Sequence, residues 1–146
     1  MTDSITFQVL RADELSLAQR AQIIDLGAAA YDEPFDWLFD MLPDSTHLLG
    51  RQAHDLVCHA AWVTRWFEPE GRPMLRAAYI EAVATAPEYQ GRGLATALMR
   101  EVATLIGGSD ADWRLRSGWS LAVLCGVLRA AGVGAVAWAA RDPSGG

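Results

Sequence analysis

The chain has 146 residues, enough for one domain with a core that needs no metal or disulfide. Its apolar fraction of 51% and charged fraction of 21% are those of a soluble globular protein. A net charge of -6 gives no electrostatic reason to expect nucleic acid or an anionic membrane as a partner. Two cysteines cannot form a disulfide framework, and the opening stretch MTDSITFQVL has neither a basic region nor a long apolar run. These features predict a cytoplasmic protein.

Hydrophobic periodicity predicts the element order β, α, α, β, β, β, α. Ser16 and Gln19 form the S-x-x-Q pattern of a capping box, and Pro34 fits the first turn of a second, shorter helix. The predicted elements are a strand from Ile5 to Leu10, helices from Ser16 to Ala30 and from about Pro34 to Leu42, strands His47 to Arg51, Leu56 to Phe67 and Leu75 to Thr85, and a helix from Gly91 to Ile106.

The last of these strands runs into a loop with two glycines and then into a helix. Such a loop presents consecutive backbone N–H groups, reinforced by the helix dipole, to an anion and especially to a phosphate. Gly91 and Gly93 would let the ligand approach the backbone closely, although an ordinary strand-to-helix turn is the alternative. The dinucleotide fingerprint fails because Thr96 stands where its third glycine belongs, and the P-loop fails because the chain has no lysine.

The segment Gln90-Gly-Arg-Gly-Leu-Ala95 resembles the Gln/Arg-x-x-Gly-x-Gly/Ala signature of the GNAT N-acetyltransferases. The resemblance extends from about Ile5 to Ile106 and includes the element order. It implies an α/β fold with a mixed, mostly antiparallel sheet flanked by helices. Because the end of the chain departs from the family pattern, we expect the C-terminal strands to be missing or irregular. The resemblance also implies acetyl-CoA as cosubstrate and direct transfer to a bound amine. The cofactor-binding residues that it implies are Val83, Thr85, Gln90, Gly91, Arg92, Gly93, Leu94 and Ala95.

Within the family, the strand from Tyr79 to Thr85 is most similar to the aminoglycoside 2'-N-acetyltransferases and related enzymes. Strict alternation predicts one face with Tyr79, Glu81, Val83 and Thr85 and another with Ile80, Ala82 and Ala84. A charged Glu81 on a mostly apolar strand is costly unless it is solvated, paired or protonated. One interpretation is an ion pair with Arg65 or Arg76; the other, which the resemblance supplies, is a general base for amine acetylation.

The amine acceptor could be bound by Asp32, Asp36 and Asp40, whose spacing predicts one face of the second helix. A carboxylate row attracts a polyamine or an aminoglycoside, and a solvated helix face is the alternative. His47, His54 and His59 lack metal-ligand spacing and are assigned to turns and strands, and Cys58 to the core rather than to a nucleophile. No bound metal is expected. The sequence does not decide whether the protein forms a homodimer.

The chain divides into a core, residues 1–112, and an atypical tail, residues 113–146. In the family this region often supplies a tyrosine as general acid, but the tail has no tyrosine and no glutamate, and it is too short for two final strands. An alternative interpretation is a membrane helix from Leu121 to Ala140, but Arg129 and three glycines within this stretch make it unfavourable. Back-translation with a one-base shift permits L-G-G-L-S-P-S and then F-Y-A-R-L-G-W-E-R-W-R-G-P-L, which resembles the usual GNAT ending. We therefore hypothesise a frameshift near residues 109 to 114. The resulting protein would be either an enzyme of impaired activity or a non-catalytic acyl-CoA-binding module.

Overall fold

A computed structural model describes residues 4–67, 71, 75–108 and 122–125. These residues form a five-stranded sheet in the order β1-β2-β3-β4-β5 with helices packed on it. The elements are β1 Thr6–Arg11, α1 Leu17–Tyr31, α2 Leu38–Met41, β2 Thr46–Gln52, β3 Asp55–Phe67, β4 Leu75–Thr85, α3 Leu94–Gly108 and β5 Ala122–Cys125. Three antiparallel pairings and one parallel pairing confirm the predicted α/β class with a mixed, mostly antiparallel sheet.

The first helix begins where the sequence predicts it. The Ser16 hydroxyl accepts a hydrogen bond from the backbone N–H of Gln19 at 3.1 Å, and the Gln19 side chain accepts one from the backbone N–H of Ser16 at 2.9 Å. This reciprocal pair is the predicted capping box. The helix ends at Tyr31, and Asp32 follows with a left-handed φ of 54°.

The second helix is much shorter than predicted, because α2 is the single turn Leu38–Met41. The residues before it form a loop whose Phe35 is 3% exposed. A Cβ added to Gly27 of α1 would lie 2.0 Å from Cδ1 of Phe35, so the ring fills the notch that this glycine leaves. Burial of Phe35 against α1 replaces the predicted helical turn around Pro34.

Two apolar clusters cover the two faces of the sheet. One contains Ile23, Phe35 and Leu38 from the α1 and α2 region together with Leu49, Ala61 and Ala82 of the strands. The other contains Leu98, Met99 and Val102 of α3 together with Leu48, Ala60, Trp62, Ile80 and Val83. The central strands β3 and β4 are therefore buried on both sides.

A β-bulge interrupts β4 at Glu81. Ala82 lies opposite Ala61 of β3 and Ile80 lies opposite Trp62, which leaves Glu81 as an extra residue between two pairs. As a result Ile80 and Val83 reach the same cluster, whereas Ala82 reaches the other. The prediction that Ile80 shares a face with Ala82 is therefore wrong, because the inserted residue breaks the alternation.

The short strand β5 pairs in parallel with the first half of β4. Ala122 lies opposite Ala77 and Cys125 opposite Ile80. In the described part of the chain no strand pairs with this edge of β4 beyond Ile80, and we call the stretch from Ala82 to Thr85 its open edge. The rest of the tail, including most of the hypothetical membrane helix, lies outside the described residues. In the part that is described, no helix has the length and apolar character needed to cross a membrane.

Candidate active site

On this edge of β4, both backbone polar groups of the buried residue Val83 bond to one side chain, that of Tyr31. The Val83 N–H donates to the Tyr31 hydroxyl at 3.0 Å, and the same hydroxyl donates to the Val83 carbonyl oxygen at 2.5 Å. Because both groups bond to Tyr31 rather than to the facing strand β3, they point towards the open edge. Burial raises the pKa of the Tyr31 phenol, although its hydrogen bond to Val83 opposes this, so the hydroxyl keeps its proton at neutral pH.

Glu81 lies next to this edge, on the bulge. Its side chain is half-buried, and a bulge can direct a side chain away from the regular alternation of the strand. The side chains of Arg65 and Arg76, its predicted ion-pair partners, lie outside the described residues. A carboxylate at this position could accept a proton from an amine, directly or through water.

Thr85 ends the strand with a buried hydroxyl. The residue is 5% exposed, and its Oγ1 has no hydrogen-bond partner in the described part of the chain. Its carbonyl oxygen accepts a hydrogen bond from the Gln90 side chain at 3.1 Å, which fixes the start of the following loop to the strand. Buried polar atoms are normally paired, so a buried hydroxyl without a partner among the described residues is an exception.

The loop after β4 connects this strand to the long helix α3. Gly91 and Gly93 have φ angles of 77° and 80°, which residues other than glycine adopt only at a cost in free energy. The carbonyl of Gly93 accepts from the N–H of Ala97 at 3.1 Å, so α3 starts directly after this glycine. The first N–H groups of a helix have no intrahelical acceptor and lie at the positive end of its dipole.

No described residue covers the two glycines of this loop. A Cβ at Gly91 or Gly93 would meet no atom of the described part of the chain within 4 Å. The exposed Arg92 has its guanidinium carbon 5.1 Å from the centre of the Tyr89 ring and adds a positive charge. These features fit a diphosphate, as the resemblance implies for Gln90 to Ala95.

The three aspartates proposed for the acceptor do not share a helix face. Asp32 follows the end of α1, Asp36 lies in a turn, and only Asp40 belongs to α2. The predicted row is wrong because the segment bends at Pro34 and Phe35 instead of continuing as a helix. All three side chains are nevertheless exposed and lie on the segment that follows Tyr31.

Sequence reasoning did not identify Tyr31 or the buried pair His47 and His59 as sites of interaction. Ser45 Oγ donates to the Leu42 carbonyl at 2.7 Å and lies 2.7 Å from His47 Nε2. His47 Nδ1 lies 2.8 Å from His59 Nε2. Since the serine proton is already engaged, Nε2–H of His47 donates to Ser45, and Nε2–H of His59 donates to His47. No spacing rule predicts this chain of contacts, because the two histidines meet across β2 and β3.

The pKa values of these buried groups are displaced in the directions that burial dictates. Burial, with the charge of Arg20, lowers the pKa of His47 to about 4, and burial lowers that of His59 as well. Burial raises the pKa of the Cys58 thiol to about 12, so Cys58 is a core residue as predicted. His47 and His59 lie on strands and His54 in a turn, also as predicted. Within the described ranges, no group of three or more His, Cys, Asp or Glu side chains could hold a metal ion.

Comparison with known proteins gives one family match. The sequence model of the acetyltransferase (GNAT) family matches residues 13–110. A search of curated protein sequences finds no significant match. Among solved structures, the chain is similar to a ribosomal-protein-alanine N-acetyltransferase from Brucella melitensis biovar Abortus, with 19% identity, a TM-score of 0.54, and 86% and 82% of the two chains covered.

Two further structures share the fold at comparable similarity. An aminoglycoside acetyltransferase from an uncultured soil metagenomic sample, in complex with sisomicin, has 14% identity and a TM-score of 0.60, with 86% of this chain and 78% of that chain covered. Escherichia coli ElaA has 22% identity and a TM-score of 0.53, with 70% and 69% covered. At such identities the structural comparisons establish the fold.

Proposed function

The chain belongs to the acetyltransferase (GNAT) family, and from that premise we propose that it transfers the acetyl group of acetyl-CoA directly to the amine of a small molecule. Membership makes it an N-acetyltransferase by class and confirms the resemblance inferred from residues 90–95. The observation that carries the proposal is the arrangement along one continuous segment. A bulged carboxylate, an open strand edge and a loop with two left-handed glycines follow each other between Glu81 and Gly93.

The residues of this segment have separate tasks in the proposed reaction. When bound, acetyl-CoA supplies an acetyl group activated as a thioester. The backbone N–H groups from Gly91 to Ala95 hold its diphosphate, and the side chain of Arg92 adds a cation. Backbone groups near Val83 and Thr85 orient its arm along β4.

Glu81 acts as the general base. An ammonium ion has no lone pair, so a proton must leave the amine before it can attack the thioester carbonyl. The Glu81 carboxylate takes this proton, directly or through water. As the C–N bond forms, the C–S bond breaks, and the sulfur leaves as the thiolate of CoA, which takes up a proton from water. No covalent enzyme intermediate is needed, and Cys58 is unsuited to form one because its buried thiol, with a pKa of about 12, does not ionise at neutral pH.

The acceptor is a small, cationic amine, and an aminoglycoside is the class that we propose. The net charge of -6 favours approach of a cation, and exposed Asp32, Asp36 and Asp40 lie on the segment that leaves α1. The similar soil acetyltransferase was solved with the aminoglycoside sisomicin. The competing function is an acyl-CoA-binding module without turnover, which is favoured by the lack of any tyrosine or glutamate after residue 112.

Binding of the cofactor at the loop is tested with Gly93→Asp. The new carboxylate would face the diphosphate, and the side chain would strain a φ of 80°, so calorimetry should give a Kd for CoA raised more than about tenfold. Gly71→Asp is the matched control, because Gly71 also has a positive φ of 71° and no described atom within 4 Å of an added Cβ, but lies in another turn. Unchanged affinity in folded Gly93→Asp protein would exclude the loop as the cofactor site.

Turnover is tested by thiol release from acetyl-CoA with a panel of amines that includes aminoglycosides and polyamines. Release that depends on an added aminoglycoside supports the proposed reaction. Binding of CoA with no release on any amine supports the module instead. The two outcomes therefore separate an enzyme from a binding protein with the same loop.

A further inference from the structure

We propose that the Tyr31 hydroxyl is a latch on the open edge of β4, and that the arm of acyl-CoA must displace it in order to bind. The inference rests on the proposed function, because it concerns the binding of acyl-CoA at that site. It adds a regulatory contact on Val83, made by a residue outside the cofactor loop.

The contact satisfies both polar groups of a single residue. The Tyr31 hydroxyl accepts from Val83 N–H at 3.0 Å and donates to the Val83 carbonyl at 2.5 Å. An added strand or an extended amide chain would use the same two atoms through its own C=O and N–H. The pantetheine arm of CoA is such an amide chain, so the hydroxyl and the arm compete for the same peptide groups.

Several contacts hold the tyrosine in this position. Tyr31 is the last residue of α1, and its ring stacks on Phe35 with centroids 5.4 Å apart and an interplanar angle of 16°. Phe35 is itself buried in the notch at Gly27. Asp32 follows at a φ of 54°, a conformation that a residue with a side chain adopts at some cost. The latch is thus held by α1 and by the loop that carries Asp32 and Asp36.

The charge state of the phenol suits the latch. Only a protonated hydroxyl can donate to the Val83 carbonyl while it accepts from the Val83 N–H. Burial raises the pKa of this phenol, which keeps it protonated over the neutral range. A phenolate could still accept a hydrogen bond from the Val83 N–H, but it has no proton to donate to the Val83 carbonyl oxygen and would repel that oxygen.

Only molecules in which Tyr31 has released Val83 can bind the arm, so the apparent affinity for CoA is the intrinsic affinity multiplied by the fraction of such molecules. Removing the hydroxyl and keeping the ring should therefore strengthen binding. Given the usual net contribution of hydrogen bonds, the expected gain is roughly twofold to tenfold. If the Tyr31 hydroxyl contributed to CoA binding, its removal would weaken that binding. If it acted only in folding, its removal would leave the CoA affinity unchanged.

The experiment compares the parent protein with Tyr31→Phe, using calorimetry with CoA and NMR hydrogen exchange of the Val83 amide. Without added CoA, the Val83 amide should exchange slowly in the parent protein and faster in the variant. The variant should bind CoA roughly twofold to tenfold more tightly. Equal or weaker binding by folded Tyr31→Phe protein would overturn the latch while leaving the proposed function intact.

A measurement on the parent protein alone covers the case in which the variant does not fold. Saturation with CoA should shift the NMR signals of the Tyr31 ring and of the Val83 amide together. If the Tyr31 signals stay unchanged at saturation, the arm does not displace the hydroxyl and the latch is excluded. If neither protein binds CoA, the proposed function fails, and the latch fails with it.

Discussion

Glu81 owes its position to one extra residue in β4. A regular strand would place it with Tyr79 and Val83, and the bulge instead separates it from the pairs Ala61–Ala82 and Trp62–Ile80. The residue is half-buried between two clusters that bury Ile80 and Ala82 almost completely. A carboxylate is costly in such a place unless its surroundings or its function compensate for the desolvation. We therefore regard Glu81 as the residue whose substitution is most informative.

Substitution of Glu81 by glutamine should separate catalysis from binding. Glu81→Gln retains the size of the side chain but cannot take up the proton, so turnover in the thiol-release assay should fall by roughly 10²-fold or more. CoA affinity by calorimetry should stay nearly unchanged. Glu101→Gln, on α3, serves as the control for loss of one half-buried carboxylate. Preserved turnover together with a lower melting temperature would assign Glu81 to a structural ion pair instead.

The buried histidines predict an acid-sensitive fold. An unfolded histidine takes up a proton near pH 6.5, whereas burial lowers the pKa of folded His47 to about 4 and also lowers that of His59. The unfolded state therefore binds more protons, so the free energy of unfolding falls as the pH falls from 6.5 towards 4. The slope should approach about 1.4 kcal/mol per pH unit for each histidine.

Urea unfolding at several pH values between 4.5 and 7 measures this slope. His47→Gln should reduce it, and His54→Gln, at an exposed position in a turn, is the matched control. The same slope in the parent protein and in His47→Gln would show that acid acts on other groups. The pair would then contribute to the core only through its hydrogen bonds.

At the scale of elements, hydrophobic periodicity predicts most of the sheet and both long helices, because each buries one or both faces regularly. The capping box at Ser16 is local and could be predicted directly. The single turn α2 could not, because the loop before it is determined by burial of Phe35 against Gly27 of α1. The bulge at Glu81 also depends on tertiary packing, because the two clusters require Ile80 and Val83 on the same face.

The same distinction applies to the candidate site. The role of Gly91 and Gly93 in a tight loop before a helix could be predicted from the sequence, because the reason for glycine at such positions is local. Their φ angles of 77° and 80° agree with that reasoning. Tyr31 was not predicted, since its hydroxyl meets Val83 across 52 positions of the chain, and no local pattern encodes such a contact.

Packing of the loop onto α1 is tested by Gly27→Ala. The added Cβ would lie 2.0 Å from the Phe35 ring, so the ring or the helix must move, and overpacking of this kind costs about 1–3 kcal/mol. The better helix propensity of alanine offsets about 1 kcal/mol of this loss. Urea unfolding should therefore show lower stability.

A second substitution shows whether the loss arises from the Phe35 ring. In the double variant Gly27→Ala with Phe35→Leu, the smaller side chain relieves the clash, so the alanine should cost less than it does beside phenylalanine. If the alanine costs the same in both backgrounds, the ring is not the source. Unchanged or higher stability of the single variant would contradict the packing described for this notch.

At the scale of the whole molecule, the family match covers the described elements from α1 to α3 but not β1, which ends at Arg11, before the match begins at residue 13. The match ends at residue 110, and the described helix α3 ends at Gly108. Beyond them the structure describes only the four-residue strand β5, which pairs with β4 from Ala77 to Ile80. The described members of the two clusters that cover the sheet come from elements up to α3.

The last prediction concerns the tail, residues 113–146, which we propose is translated out of frame. A sequence selected to pack alternates its apolar residues with the period of its strand or helix, whereas a shifted frame retains composition without pattern. The protein encoded by a one-base-corrected gene should melt at a higher temperature, associate less and release more thiol from acetyl-CoA than the present chain. Thermal unfolding, size-exclusion chromatography and the thiol-release assay compare the two proteins directly. Sequencing of the parent locus is the decisive control: a stop codon in the shifted frame before the R-L-G-W-E segment would exclude the frameshift, and the tail would then be native.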